Sequence, residues 1–259
     1  MTEWDTLTTC YYNSPNEADK QCCTILPVTV YKPPDSVSIS ISDHSGLMLE
    51  GRQYTLQCEV RNAAPIQNLS VTFYRGNTPL GRPGSVNSAG KKPASETYAW
   101  SIVASKEDDG AQYWCEAELE LGPEGPQPPP MMKSQHVTTT VQYKPRLLEE
   151  SHPKSITIKE GSPLKLNCSA VGNPQPKFTW TFPAEKKSTI NGSVLTVASV
   201  TSADKGQFTC TASNSLGNQT VTFKVDVQRL SSTAPNRITG SNVLHVFTLG
   251  CALLLSVLV

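Results

Sequence analysis

The chain lacks a charge excess, is poor in histidine and has no clustered metal ligands. Its 22 Lys plus Arg balance its 22 Asp plus Glu over 259 residues, so the basic surplus that nucleic-acid binding needs is missing. Catalysis requires an acid, base or nucleophile brought together. The four histidines are His44, His136, His152 and His245, the last inside an apolar tail, and no serine sits in a Gly-x-Ser-x-Gly elbow. Glu116, Glu118 and Glu120 alternate along one segment and read as the solvated face of a strand rather than a carboxylate pair. No Cys-x-x-Cys occurs, and among eight cysteines the only close pair, Cys22-Cys23, is vicinal, which does not suit a zinc cage. We therefore expect no enzyme, no cofactor, no metal, no small-molecule substrate and no nucleic-acid partner.

A leader is missing too. Met1-Thr-Glu-Trp-Asp has no basic start, apolar core or small-residue cleavage site, the three parts of a signal peptide. The body nevertheless reads as secreted. Cys58 and Cys115 lie 57 residues apart and Cys168 and Cys210 lie 42 apart, spacings that suit disulfides across a sandwich and an oxidising compartment better than buried cytosolic thiols. The expectation is a fragment of an exported protein.

Twenty prolines and 16 glycines between short apolar runs indicate turns between strands rather than long helices. The length suits two sandwiches of about 100 residues each. In residues 155–228 apolar and polar residues alternate with period two. Leu164, Leu166, Cys168 and Ala170 form one inward run, Phe178, Trp180 and Phe182 a second, and Leu195 and Val197 a third. Phe208, Cys210 and Ala212 form the fourth, then Val221, Phe223, Val225 and Val227 the last. Gly172-Asn-Pro174, Asn191-Gly192, Asp204-Lys-Gly206 and Leu216-Gly-Asn218 separate them as turns.

Trp180 follows Cys168 by 12 residues, and Asp204-Lys-Gly-Gln-Phe-Thr-Cys210 approaches the second cysteine. Together they resemble an intermediate-set immunoglobulin domain, whose tryptophan packs on the inter-sheet disulfide. Phe208 stands where a tyrosine is usual, so the corner hydrogen bond is lost. Residues 35–143 repeat the plan with Leu56, Cys58 and Val60, then Leu69, Val71 and Phe73, then Tyr98, Trp100 and Ile102. Asp109-Gly-Ala-Gln-Tyr-Trp-Cys115 gives the same approach. No tryptophan follows Cys58 at the usual interval, so Val71 or Phe73 is expected to fill that part of the core. Residues 82–95 read as an irregular loop or weak edge strand. Gly122-Pro-Glu-Gly-Pro-Gln-Pro-Pro-Pro130 reads as a stiff polyproline-like loop, a solvated spacer or a ligand-binding hairpin tip.

Residues 1–34 are too few for a sandwich. The order Trp4, Cys10-Tyr-Tyr-Asn13, Gln21-Cys22, Leu26-Pro-Val-Thr-Val-Tyr-Lys-Pro-Pro-Asp35 resembles the end of the first domain in the intercellular adhesion molecule family. Leu56-Gln-Cys-Glu-Val-Arg through Phe73-Tyr-Arg-Gly76, and Trp114-Cys-Glu-Ala-Glu-Leu-Glu-Leu-Gly-Pro123, resemble its second domain. The resemblance implies a plasma-membrane glycoprotein with its domains outside the cell. The partner would be a leukocyte-type integrin, contacted through an acidic residue of the first domain that no residue here inherits. It also implies that Cys10 and one of Cys22 or Cys23 bond to upstream partners; a Cys10–Cys22 bond is the alternative. A mechanical spacer, or a homophilic or other immunoglobulin-receptor module without integrin binding, is the rival function.

Asn68, Asn167, Asn191 and Asn218 begin Asn-x-Ser/Thr glycosylation signals; Asn167, beside Cys168, is the poorest acceptor. Residues 229–242 form a polar stalk and 243–259 a 17-residue apolar run with no basic residue after it. A spanning helix wants about 20 apolar residues with basic flanks. Small residues, a polar spacer and an apolar tail match a glycosylphosphatidylinositol signal, with Ser232 as attachment point; a short spanning helix is the alternative. The expected fold is all-β, tandem antiparallel sandwiches with a C-terminal apolar membrane-attachment segment.

Overall fold

The structure, a computed structural model, describes residues 4, 8–13, 21–26, 28–42, 46–84, 90–148, 155–183 and 188–229. Ser232 and the apolar run 243–259 lie outside the described residues. Among those that are described, no helix is long and apolar enough to cross a membrane.

The chain begins with an antiparallel hairpin of β1 (Thr8–Asn13) and β2 (Gln21–Leu26). The middle sandwich follows with β3 (Ser36–Ser42), β4 (Met48–Leu49), β5 (Gln53–Ala63), β6 (Leu69–Arg75), β7 (Thr78–Gly81), β8 (Ala94–Val103) and β9 (Gln112–Leu119). It is completed by β10 (Met131–Lys133), β11 (Val137–Thr138) and β12 (Val141–Leu147). The last sandwich contains β13 (Ser155–Lys159), β14 (Leu164–Asn167), β15 (Ala170–Asn173), β16 (Lys177–Thr181), β17 (Ser188–Asn191) and β18 (Val194–Val197). Strands β19 (Gly206–Asn214) and β20 (Gly217–Gln228) close it.

In the middle sandwich, β3-β5-β8 faces β10-β9-β6-β7. Strand β5 reads eBiBeBiBeiB, buried at alternate positions, the period-two pattern that sends one side chain in and the next out. Leu56, Cys58, Val60, Val71 and Phe73 are buried between the sheets. In the last sandwich, β14-β18-β17 faces β13-β20-β19-β16 around Leu164, Leu166, Leu195, Val197, Phe208 and Phe223. Each core is spanned by one disulfide, Cys58–Cys115 and Cys168–Cys210. Trp180 pairs in register with Cys210 and stacks on Phe223, ring centroids 5.9 Å apart.

Two expectations need correction. Ala170 does not continue the run of Leu164, Leu166 and Cys168; it is half-buried and starts β15, which pairs with β12 instead of β18. The proline-rich segment is not uniformly extended: Gly122 takes a positive φ of 81° and Gly125 N–H donates to Gly122 O at 3.1 Å, folding it into a turn. Phe73 fills the place of the tryptophan absent after Cys58, as expected: it is fully buried and lies opposite Cys115, as Trp180 lies opposite Cys210. Trp100 of β8 reaches Phe73, with centroids 6.4 Å apart, and occupies the space over Gly81.

Candidate functional site

Two features of the middle sandwich organise its polar contacts: the corner before β9 and the strand that leaves the domain. Ser105 caps a short 3-10 turn, Lys106–Asp108. The Asp108 carboxylate accepts from Ser105 N–H and Oγ–H, each at 2.7 Å, and from the Tyr113 hydroxyl at 2.6 Å. Arg75 Nε lies 3.0 Å from the same carboxylate. Burial opposes the charge, but the hydrogen bonds from Tyr113 and Ser105 and the Arg75 charge outweigh it, holding Asp108 below the usual carboxylate range. Burial, with the Asp108 hydrogen bond and charge, pushes the Tyr113 hydroxyl well above its ordinary value.

The motif aligns Asp109 with Asp204, six residues before the second cysteine, but the carboxylate that takes the cap in the structure is Asp108, one residue back. In the last sandwich the equivalent cap is Thr201, whose N–H and Oγ–H donate to Asp204 at 2.7 and 2.9 Å. Asp204 precedes the ring at position 208 by four residues, whereas Asp108 precedes Tyr113 by five. The extra residue frees Asp109. Phe208, without a hydroxyl, stacks on Phe182 at 5.8 Å.

Removing the Tyr113 hydroxyl tests this corner. Tyr113→Phe should cost roughly 1.5–3 kcal/mol at neutral pH, the range for a hydrogen bond to a charged group. Because the folded-state pKa of Asp108 is depressed, its contribution is complete above the unfolded value near 3.9 and is lost as pH falls toward the folded value. Wild-type stability should therefore drop on acidification below that value, and Tyr113→Phe should flatten the drop. Urea midpoints at pH 7 and pH 3 measure both.

Asp109 is spent on the junction with the next domain. Its Oδ1 accepts the Val141 N–H at 2.9 Å, and Asn173 Nδ2 lies 3.3 and 3.2 Å from its two oxygens. Asn173 Nδ2 also donates to Val141 O at 2.9 Å. Strand β12 itself belongs to both bodies: Val141 and Gln142 pair with β4, while Tyr143, Arg146 and Leu147 pair with β15. Asn214 Nδ2 donates to Tyr143 O at 2.8 Å, and Arg146 Nη2 reaches Glu50 Oε1 at 2.8 Å across the junction. Among the described residues, the pairing with β15 begins at Tyr143, directly after the pairing with β4 ends at Gln142.

The outward face of β6, β9 and β10 carries an aromatic stack. Tyr74 and Trp114, opposite each other in register, lie 4.1 Å apart at 5°. His136 meets Trp114 edge-on at 5.8 Å, and Lys133 Nζ lies 4.9 Å from its ring centre. Glu116, Glu118 and Glu120 share this face as expected. Lys133 is 3.3 Å from Glu116, and Arg82 is 3.9 Å from Glu118 and 3.0 Å from Glu120. Among the described residues no group of three or more His, Cys, Asp or Glu is placed to hold a metal.

In the first hairpin, Cys10 lies opposite Thr24 and Cys22 opposite Tyr12, so the register does not set Cys10 and Cys22 against each other. Cys10 and Cys23 are exposed, and neither has a disulfide partner among the described residues. Of the glycosylation signals, Asn191 and Asn218 are exposed, and Asn68 and Asn167 half-buried. Asn167 and Asn191 both lie opposite Val194, from its two sides.

Comparison with known proteins agrees with this architecture. An immunoglobulin-domain family model matches residues 144–214. Human cell adhesion molecule 4 is 28% identical over 204 residues, 75% of this chain and 48% of that protein. Dog vascular cell adhesion protein 1 is 26% identical over 196 residues, covering 74% of this chain and 26% of that protein. The chain thus spans about half the length, or less, of these curated relatives. The ectodomain of mouse nectin-like molecule 4, Ig1–Ig3, superimposes with a TM-score of 0.59 at 21% identity, over 88% of this chain and 83% of that one. In sequence and in fold, the chain is similar to the cell adhesion molecules of the immunoglobulin superfamily.

Proposed function

We propose that the chain is part of a cell-surface adhesion receptor of the intercellular adhesion molecule type, with its domains outside the plasma membrane. Its two sandwiches form a stiff stalk, and the β1–β2 hairpin ends a further domain that carries recognition of a leukocyte-type integrin. The observation behind the stalk is strand β12, which pairs into both sandwiches and is held at its crossing by Asp109 and Asn173. Motion between domains is the default unless their interface prevents it. Here bending would break the contacts that cross the junction, Asn173 to Asp109 and Val141 O and Arg146 to Glu50. The relatives' adhesion role supports the setting. Asn68, Asn191, Asn218 and, more weakly, Asn167 are the proposed glycan acceptors, and Ser232 the proposed lipid attachment point. The Tyr74–Trp114–His136 stack favours a second, lesser role for the middle domain in contact with another immunoglobulin-type receptor.

Cell adhesion to immobilised protein tests the division of labour. Residues 35–228 alone should not support integrin-dependent adhesion. A form with a complete domain around β1 and β2 should support it, and chelators should abolish it because integrin sites hold divalent metal. Strong chelator-sensitive adhesion to residues 35–228 alone would move recognition into the stalk.

A further inference from the structure

Asn68 differs from the other glycosylation signals in where it stands. It ends the 3-10 turn Ile66–Asn68, and its main chain and side chain both grip residue Glu120: Glu120 N–H donates to Asn68 O at 2.8 Å, and Asn68 Nδ2 donates to Glu120 O at 2.8 Å. The side chain is therefore held in one orientation at the lip of a cleft. That cleft, about 280 Å³ and mainly polar, separates the segment after the hairpin from the middle sandwich, and its lining includes Trp4, Thr29, Gln67, Asn68, Lys91 and Leu121. The segment on its far side is fixed to the sandwich by reciprocal hydrogen bonds between Lys32 and Ala64, at 2.8 and 3.0 Å. An indole on one wall with amide, hydroxyl and ammonium groups around it suits a ligand with an apolar face and a polar rim. A sugar ring has both.

We propose that the proximal N-acetylglucosamine of an Asn68-linked glycan is a structural ligand of this cleft, packing on Trp4 and wedging the hairpin segment against the middle sandwich. Transfer from a lipid-diphosphate-linked oligosaccharide replaces one Asn68 N–H by an N–C1 bond. The C1–O bond to the diphosphate breaks, the lipid diphosphate leaves and the amide proton passes to the transferase base. An amide nitrogen carries two protons, so the glycosylated nitrogen keeps one and can still donate to Glu120 O. The attached sugar thus adds to the Asn68–Glu120 contact without replacing it. The proposal rests on the extracellular reading of the chain.

The test is expression of the full 259-residue chain behind a leader in mammalian cells, followed by site-resolved glycopeptide mass spectrometry during native digestion with an amidase that cuts between asparagine and the first sugar. Asn68 should be occupied and its glycan released about tenfold more slowly than that of Asn191, a difference of ~1.4 kcal/mol in effective protection. Trp4→Ala should bring the two rates together with occupancy unchanged. Ser70→Ala removes the signal but keeps Asn68 and its bond to Glu120, so faster hydrogen exchange in residues 28–34 of that variant reports the missing sugar even if Trp4→Ala does not fold. Equal release rates in the native chain, or an unchanged exchange rate in Ser70→Ala, overturn the proposal. Glycans at Asn191 and Asn218 with Asn68 bare overturn it while leaving the extracellular reading standing. Absence of glycan at all the signals overturns both.

Discussion

Gly81→Val is expected to destabilise the middle domain by roughly 3 kcal/mol, within the range for overpacking a core or losing a large ring from it. A Cβ at position 81 would lie 2.3 Å from Trp100 Cη2 and under 3 Å from two more atoms of the same ring. The indole cannot retreat inward, because Phe73, fully buried, lies beneath it. It must swing toward solvent, exposing apolar surface and opening a void over Phe73. Coupling gives the sharper test. Trp100→Leu alone should be costly, but with Gly81→Val the two losses should fall well short of additive, since the smaller side chain removes the collision. Thermal melts of the four proteins measure this, and strict additivity would show that residue 81 and the indole do not share the space.

The second large effect is expected from the Cys168–Cys210 bond. It closes a 42-residue separation, and the chain-entropy account assigns such a loop about 4 kcal/mol of stability through the unfolded state. The last domain has little to compensate with. Its corner lacks the tyrosine hydroxyl, and Trp180 Nε1 is buried without a hydrogen-bond partner among the described residues, a cost of about 1–3 kcal/mol. Cys168→Ala with Cys210→Ala should therefore abolish or sharply lower the unfolding transition of residues 155–228. The transition of the middle domain should stay in place, as expected for multidomain chains that unfold in parts. Hydrogen-exchange mass spectrometry assigns each transition to its domain. Joint loss of both transitions would mean that the sandwiches fold as one cooperative unit.

The sandwiches themselves were legible because strand alternation is a local property. Leu56, Cys58 and Val60, or Phe208, Cys210 and Ala212, announce a buried face through spacing alone, and all six are fully buried. Spacing failed where partners come from far along the chain. Ala170 alternates in phase with Cys168, yet its strand turns away to pair with β12. Trp100 reads as one more inward residue of β8; only the opposing sheet shows that Gly81 makes room for it. Asp108 and Asp109 are adjacent carboxylates, and their spacing to Tyr113 alone does not tell which one its hydroxyl will choose. The clue was the Ser105-x-x-Asp108 cap, a capping-box pattern with aspartate at its end. The boundary drawn after Tyr143 falls in the middle of β12, because the same alternating pattern serves two domains without a break.

That unbroken strand is the centre of the functional account, and the distance between the two sandwiches in solution tests it most directly. Thr97 and Thr189 are exposed, one in each sandwich. Spin labels introduced there through unnatural keto side chains leave every cysteine untouched, and pulsed electron–electron resonance then reads the spread of separations. A stiff stalk predicts a single narrow distribution in the native chain, broadened when Asp109→Ala and Asn173→Ala together release the crossing. A native distribution already as broad as that of the double variant would contradict the stalk, leaving two sandwiches that move independently.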